Sequence, residues 1–136
     1  MEKIHSAMKA LIKNKNNKFL VIEQKFENLR YFDLPGGRVK YGESPYDTLY
    51  REIKEETSLD TEIIKPLGVW WFFRTSGDQV ICNTFLCKPK NINVNIDLNP
   101  ENDENIINYH WLNKQELKYS VGKFLDKSIE KMFDLI

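Results

Sequence analysis

Apolar and polar residues are patterned along this chain in a way that predicts several strands around a few helices. Ala7, Met8, Ala10, Leu11 and Ile12 make residues 3–13 an apolar strand. The polar run 14–18 turns the chain, and residues 19–24 return as a second strand. Residues 31–34 form a short extended segment leading into Pro35-Gly36-Gly37, which reads as a turn or loop. Residues 61–65 and 68–74 look extended, Thr75-Ser76-Gly77-Asp78 makes a tight hairpin turn, and residues 79–87 return. Within Trp70-Trp71-Phe72-Phe73, alternation sends Trp70 and Phe72 to one face and Trp71 and Phe73 to the other, as in a strand covered on both sides. The polar, Asn-rich stretch 88–105 is too long for a simple connection, and long loops in compact domains are usually functional or mobile. Residues 109–112 give a last short strand. A helix over 121–135 closes the chain, with Val121, Phe124, Leu125, Ile129, Met132 and Phe133 on its buried side.

The period changes between these strands. Ser44 fits a helix N-cap, Pro45 the first helical position and Asp47 the acidic place in the first turn. Tyr46, Leu49, Tyr50 and Ile53 then form one apolar stripe at helical spacing. Glu52, Glu55 and Glu56 centre about a third of a turn from that stripe, on one side of the helix. Like charges at such spacing repel by roughly 0.2–0.5 kcal/mol per pair. They also crowd the helix end whose dipole is already negative. Such an arrangement points to a compensating positive partner, and a bound divalent cation fits that role better than a merely solvated acidic face.

Composition narrows the possibilities. A chain of 136 residues with 41% hydrophobic and 29% charged residues is globular, about the size of one domain spanning 1–136. Twenty basic residues balance twenty acidic ones, which argues against a nucleic-acid polymer or a membrane surface as partner. Cys82 and Cys87 share one predicted strand, roughly 16–17 Å apart and on opposite faces, too far for a disulfide. His5 and His110 fall in predicted strands without partners at metal-ligand spacing and read as structural residues. No apolar run reaches the roughly 20 residues of a membrane span, and the first residues lack a signal-peptide core, so the expectation is a cytoplasmic protein. The oligomeric state is open, a homodimer included.

As a pattern, the central stretch is Gly37, five residues, Glu43, seven residues, then Arg51-Glu52-Ile53-Lys54-Glu55-Glu56-Thr57-Ser58-Leu59. This resembles the Nudix box, the signature of the Nudix hydrolases, with Leu34-Pro35-Gly36-Gly37 similar to the family's lead-in. Every fixed position matches except one, where Ser58 stands in place of Gly. The resemblance implies an α/β fold, the Nudix-type three-layer α/β/α sandwich with a mixed β-sheet.

It also implies an activity: hydrolysis of a nucleoside diphosphate linked to another group, with Mg²⁺ (Mn²⁺ as the alternative) and an attacking water. By position, Glu52, Glu55 and Glu56 would be the metal carboxylates and the Gly37 carbonyl a further oxygen ligand, a donor set suited to Mg²⁺. Arg51 would orient the glutamates, and Glu43 would brace the loop or join the metal network. Glu52 or an acid of the later loop, Glu104 foremost beside Glu101 and Asp103, would be the general base. Arg38, directly after Gly37, would meet phosphate, and Phe32 and Trp71 are candidates to stack on a base, against core packing. Among substrates, a nucleoside triphosphate split to a monophosphate leads. Residues 74–77 lack the Pro of ADP-ribose-type members and the Tyr of dinucleoside polyphosphate types. ADP-ribose or nucleotide sugars, and a nucleotide-sensing module without catalysis, are the alternatives.

Overall fold

The structure is a computed structural model that describes residues 1–91 and 105–136. Its elements run β1 (Ile4–Ile12), β2 (Phe19–Phe26), β3 (Leu29–Asp33), β4 (Gly36–Arg38), α1 (Pro45–Thr57), β5 (Thr61–Phe73), β6 (Gln79–Pro89), β7 (Ile106–Leu112), α2 (Lys114–Ser120) and a closing 3-10 helix (Lys127–Leu135). The strands form two sheets, one ordered β4-β1-β6-β5 and the other β3-β2-β7. In the first, β1 runs parallel to β6 and antiparallel to β4, so that sheet is mixed. The second is antiparallel throughout. The fold is therefore α/β with a mixed sheet, and a second small sheet completes its strand layer.

The alternation along β1 divides the core. Met8, Ala10 and Ile12 join Leu20, Cys87 and the α1 residues Leu49 and Ile53 in one buried cluster. Ala7 and Leu11 join Cys82, Trp70, Phe19 and Val21 with Leu117, Ile129, Met132 and Phe133 from the C-terminal helices in the other. So α1 covers one side and the C-terminal helices the opposite one. Leu49 and Ile53 are fully buried, and burying each side chain contributes roughly 1.5–3 kcal/mol toward holding α1 in place. Tyr46 and Tyr50, also expected on that stripe, are exposed. The helix rests on its aliphatic residues, and the Tyr46 ring reaches only the edge of Phe85.

Three other expectations are corrected. Gly36 and Gly37 lie in a strand rather than a loop, because β4 pairs with β1 through Lys9↔Gly36 and Met8↔Gly37. Gly36 has φ +143°, and a Cβ there would lie 2.0 Å from the Met8 carbonyl oxygen, so only glycine fits. The Trp70–Phe73 stretch is not covered on both faces, because β5 is an edge strand. Trp70 is buried and donates from its indole to Thr84 Oγ1 at 3.0 Å, whereas Trp71 and Phe73 are exposed. The Ser128 hydroxyl accepts from the Trp71 amide (2.9 Å) and donates to its carbonyl (2.7 Å), which blunts that edge.

The C-terminal segment is two helices and not one. Asn113 and Glu116 form a reciprocal capping box that starts α2. The chain then turns through Gly122 at φ +78°, and Asp126 caps the 3-10 helix through the Ser128 amide. Leu125, Ile129, Met132 and Phe133 are buried as expected, but Phe124 is exposed.

Cys82 and Cys87 are free and buried on opposite faces of β6, and burial pushes both thiols up to about 12. His5 bonds Asp78, and His110 bonds Glu23, both at 2.7 Å, which agrees with structural roles. Among the described residues, no helix is long and apolar enough to cross a membrane.

Candidate active site

The acidic end of α1 faces β4. Ser44 holds the N-cap position, but its side chain makes no capping bond. The first turn is fastened instead by Thr48, whose buried hydroxyl donates to Glu43 Oε1 at 2.6 Å. Glu43 in turn receives a two-point bond from Arg51, with Nε–Oε2 at 2.9 Å and Nη2–Oε1 at 3.0 Å. Those bonds from Arg51, then the one from Thr48, lower the Glu43 carboxyl to about 2. The same guanidinium bonds Glu52 Oε1 at 3.0 Å and Glu55 Oε2 at 3.2 Å. Its own pKa is raised by the Glu43 bonds first and then by Glu52 and Glu55, against the opposing effect of burial. Arg51 is thus the hub that lets Glu52 and Glu55 coexist on α1 with Glu43 just ahead of it.

Glu56 lies apart from that hub and deeper, only 2% exposed. Its Oε1 accepts from the Gly36 amide at 2.7 Å, which pins the carboxylate to β4. Its backbone carbonyl accepts from the Tyr109 hydroxyl on β7. Behind β4, Lys9 Nζ donates to Asp33 Oδ2 at 2.9 Å and to the Leu34 carbonyl at 3.4 Å. Burial opposes the Lys9 charge, but Asp33 and then Glu56 outweigh it and raise its pKa. Lys9 and Tyr109 were not singled out in the sequence. A lysine at an inward position of an apolar strand was the available signal for the first. No local signal marks the second, whose partner lies far away in sequence.

Gly37 fits close approach. A Cβ on it would fall 2.5 Å from Glu52 Cδ and 2.7 and 2.8 Å from its two oxygens, so the carboxylate fills the place of the missing side chain. Glu52 and Glu56 beside β4, Glu55 on the same helix and the Gly37 carbonyl make an all-oxygen donor set suited to a hard divalent cation. Among the described residues, no three carboxylate, imidazole or thiol side chains already converge on one point. Glu52 and Glu55 turn to Arg51 instead.

The other candidates are placed less closely. Arg38 follows Gly37 on β4 and is exposed. Phe32 packs its ring on Phe124 at 4.8 Å and on His110 at 5.2 Å. Trp71 stands half-exposed on the edge strand β5. Glu101, Asp103 and Glu104 lie outside the described residues.

Carboxylates of one helix, Glu52 and Glu56, set against a glycine strand define a class of α/β proteins with an acidic site. Within that class, the NUDIX domain model matches residues 3–132, and the chain belongs to the Nudix family. The chain is 44% identical over 57 residues to an ADP-ribose pyrophosphatase of Methanocaldococcus jannaschii, a match covering 41% of this chain and 34% of that protein. It is 35% identical over 60 residues to a putative 8-oxo-dGTP diphosphatase of Bacillus subtilis, covering 44% of this chain and 39% of that one. These matches span well under half the length of the curated relatives. The fold is similar to that of the MutT protein from Methanosarcina mazei Go1, with a TM-score of 0.79 and 23% identity over 98% of this chain and 93% of that one.

Proposed function

We propose that this protein is a Mg²⁺-dependent hydrolase of the pyrophosphate linkage in nucleoside diphosphate derivatives, with Mn²⁺ as an alternative metal. The observation that carries this reading is the Gly37–Glu52 contact beside the Gly36–Glu56 bond, which holds two acidic side chains against one glycine pair. Glu52, Glu55, Glu56 and the Gly37 carbonyl would hold the cation. When bound, it supplies charge that neutralises the pyrophosphate and makes a water more acidic. Arg51 keeps Glu52 and Glu55 oriented, and Glu43 keeps Arg51 in place. Glu52 or Glu104 takes the proton of the attacking water, and Arg38 binds phosphate oxygen.

The preferred substrate is a nucleoside triphosphate, cleaved to a monophosphate and pyrophosphate. ADP-ribose is a second reading, favoured by the local 44% identity to an ADP-ribose pyrophosphatase. The test is product release with Mg²⁺ across a panel of nucleoside triphosphates, ADP-ribose and nucleotide sugars. Turnover of one class assigns the substrate. Tight nucleotide binding that ignores Mg²⁺, without turnover of any member, would replace the enzyme by a sensing module.

A further inference from the structure

The last four carbonyls of a helix have no partner within it and ordinarily take water or a local cap. In α1 the Glu56 carbonyl is one of these, and it takes the Tyr109 hydroxyl from β7. Tyr109 pairs with Ile22 in the antiparallel sheet, and its ring packs against the cluster beneath α1. Glu56 is therefore held at two points from two sheets. The Gly36 amide on β4 takes its carboxylate, and Tyr109 on β7 takes its main chain. With both ends fixed, the side chain between them has little freedom to leave β4.

We propose that Tyr109 is a positioning residue for the reaction, acting through Glu56 by fixing the helix end that carries this carboxylate. The proposal rests on the reading of Glu56 as a metal carboxylate. It assigns to a strand outside the motif a part in setting metal affinity. Groups that orient a metal ligand change affinity or activity by about 10–100-fold when removed. Trp111 supplies the internal control, because it packs against the same cluster two residues along β7 without a bond to α1.

The experiment compares wild type, Tyr109→Phe and Trp111→Phe, each verified as folded by circular dichroism. Mn²⁺ binding is followed by electron paramagnetic resonance with the metal alone, and turnover is measured on the best substrate of the panel. Tyr109→Phe should weaken Mn²⁺ binding and lower kcat by roughly tenfold, with KM within about twofold of wild type. Trp111→Phe should lower Tm while leaving metal affinity unchanged. Wild-type Mn²⁺ affinity in folded Tyr109→Phe would overturn the proposal, as would equal weakening in both variants. If wild type turns over no nucleotide but Tyr109→Phe still loses Mn²⁺ affinity, the hydrolase reading falls and the positioning role stands.

Discussion

The Glu52 carboxylate occupies the space that a side chain on Gly37 would need, with Cδ 2.5 Å from the position of the missing Cβ. Gly36, its neighbour, excludes a side chain for another reason, since its Cβ would meet the Met8 carbonyl at 2.0 Å. The two glycines therefore predict separable outcomes. Gly37→Ala should keep the fold and displace Glu52, lowering turnover by about 100-fold or more. Gly36→Ala should disrupt the pairing of β4 with β1 and destabilise the protein by several kcal/mol, on the order of the larger single-substitution effects. Thermal melts beside initial rates check both. Equal melting losses in the two variants would contradict the division.

Glu55 and Glu56 differ in depth, the first exposed and the second 2% exposed. Glu55→Gln should lower Mg²⁺-dependent turnover by orders of magnitude with Tm nearly unchanged. Glu56→Gln should lower turnover as much and also reduce Tm, because the Gly36 amide then bonds a neutral acceptor in place of a charged one. Near-normal turnover of either variant under Mg²⁺ would refute the metal assignment.

Ser58 ends α1 with φ 63° and ψ 9°, the left-handed conformation, and its amide bonds the Lys54 carbonyl. A residue with a side chain pays roughly 1–2 kcal/mol there relative to glycine. Ser58→Gly should therefore stabilise the fold by about 1 kcal/mol and raise Tm by about 4 °C. Turnover should be almost unchanged, because Ser58 lies at an exposed helix end and is not among the proposed ligands. A large rise in turnover without a gain in Tm would show that the helix end limits the reaction.

Both thiols have pKa values raised by burial from 9.0 to about 12. A raised folded value means that their contribution to stability is fully present below pH 9.0 and is lost as pH rises toward 12. Native protein at pH 8 should resist alkylation at Cys82 and Cys87, and both should react once denaturant is added. Mass spectrometry of the labelled protein reads this directly. Rapid labelling of the native chain would show that β6 opens locally.

The start of α1 and the acidic side of that helix were legible because Ser44, Pro45 and the glutamate spacing are local features. Periodicity gives the direction of a side chain but not its depth. Glu55 and Glu56 looked alike for that reason, although only Glu56 is buried under β4. The exposure of Trp71 depended on strand order, since β5 lies at an edge that alternation alone does not reveal. Gly36-Gly37 read as a loop because glycine usually breaks strands, and here the neighbouring backbone of β1 demands it. The capping box of Asn113 and Glu116 is a local signal for the start of α2, a helix separate from the closing one.

The parallel pairing of β1 with β6 joins Ile4 to Gln79 and Ile12 to Cys87. That contact orders the steps of folding. Hairpins β2–β3 and β5–β6 close over short loops, whereas β1 must wait for a strand made much later, and long loop closure slows such contacts. Since β1 carries β4 on its other edge, the glycine pair is seated firmly only once β6 has arrived. A nascent chain that has already emerged through Leu59 holds the whole motif, yet lacks the strand that secures its platform. Competence for chemistry thus comes near the end of assembly, when the carboxylate cluster proposed to hold a cation first acquires a rigid backing.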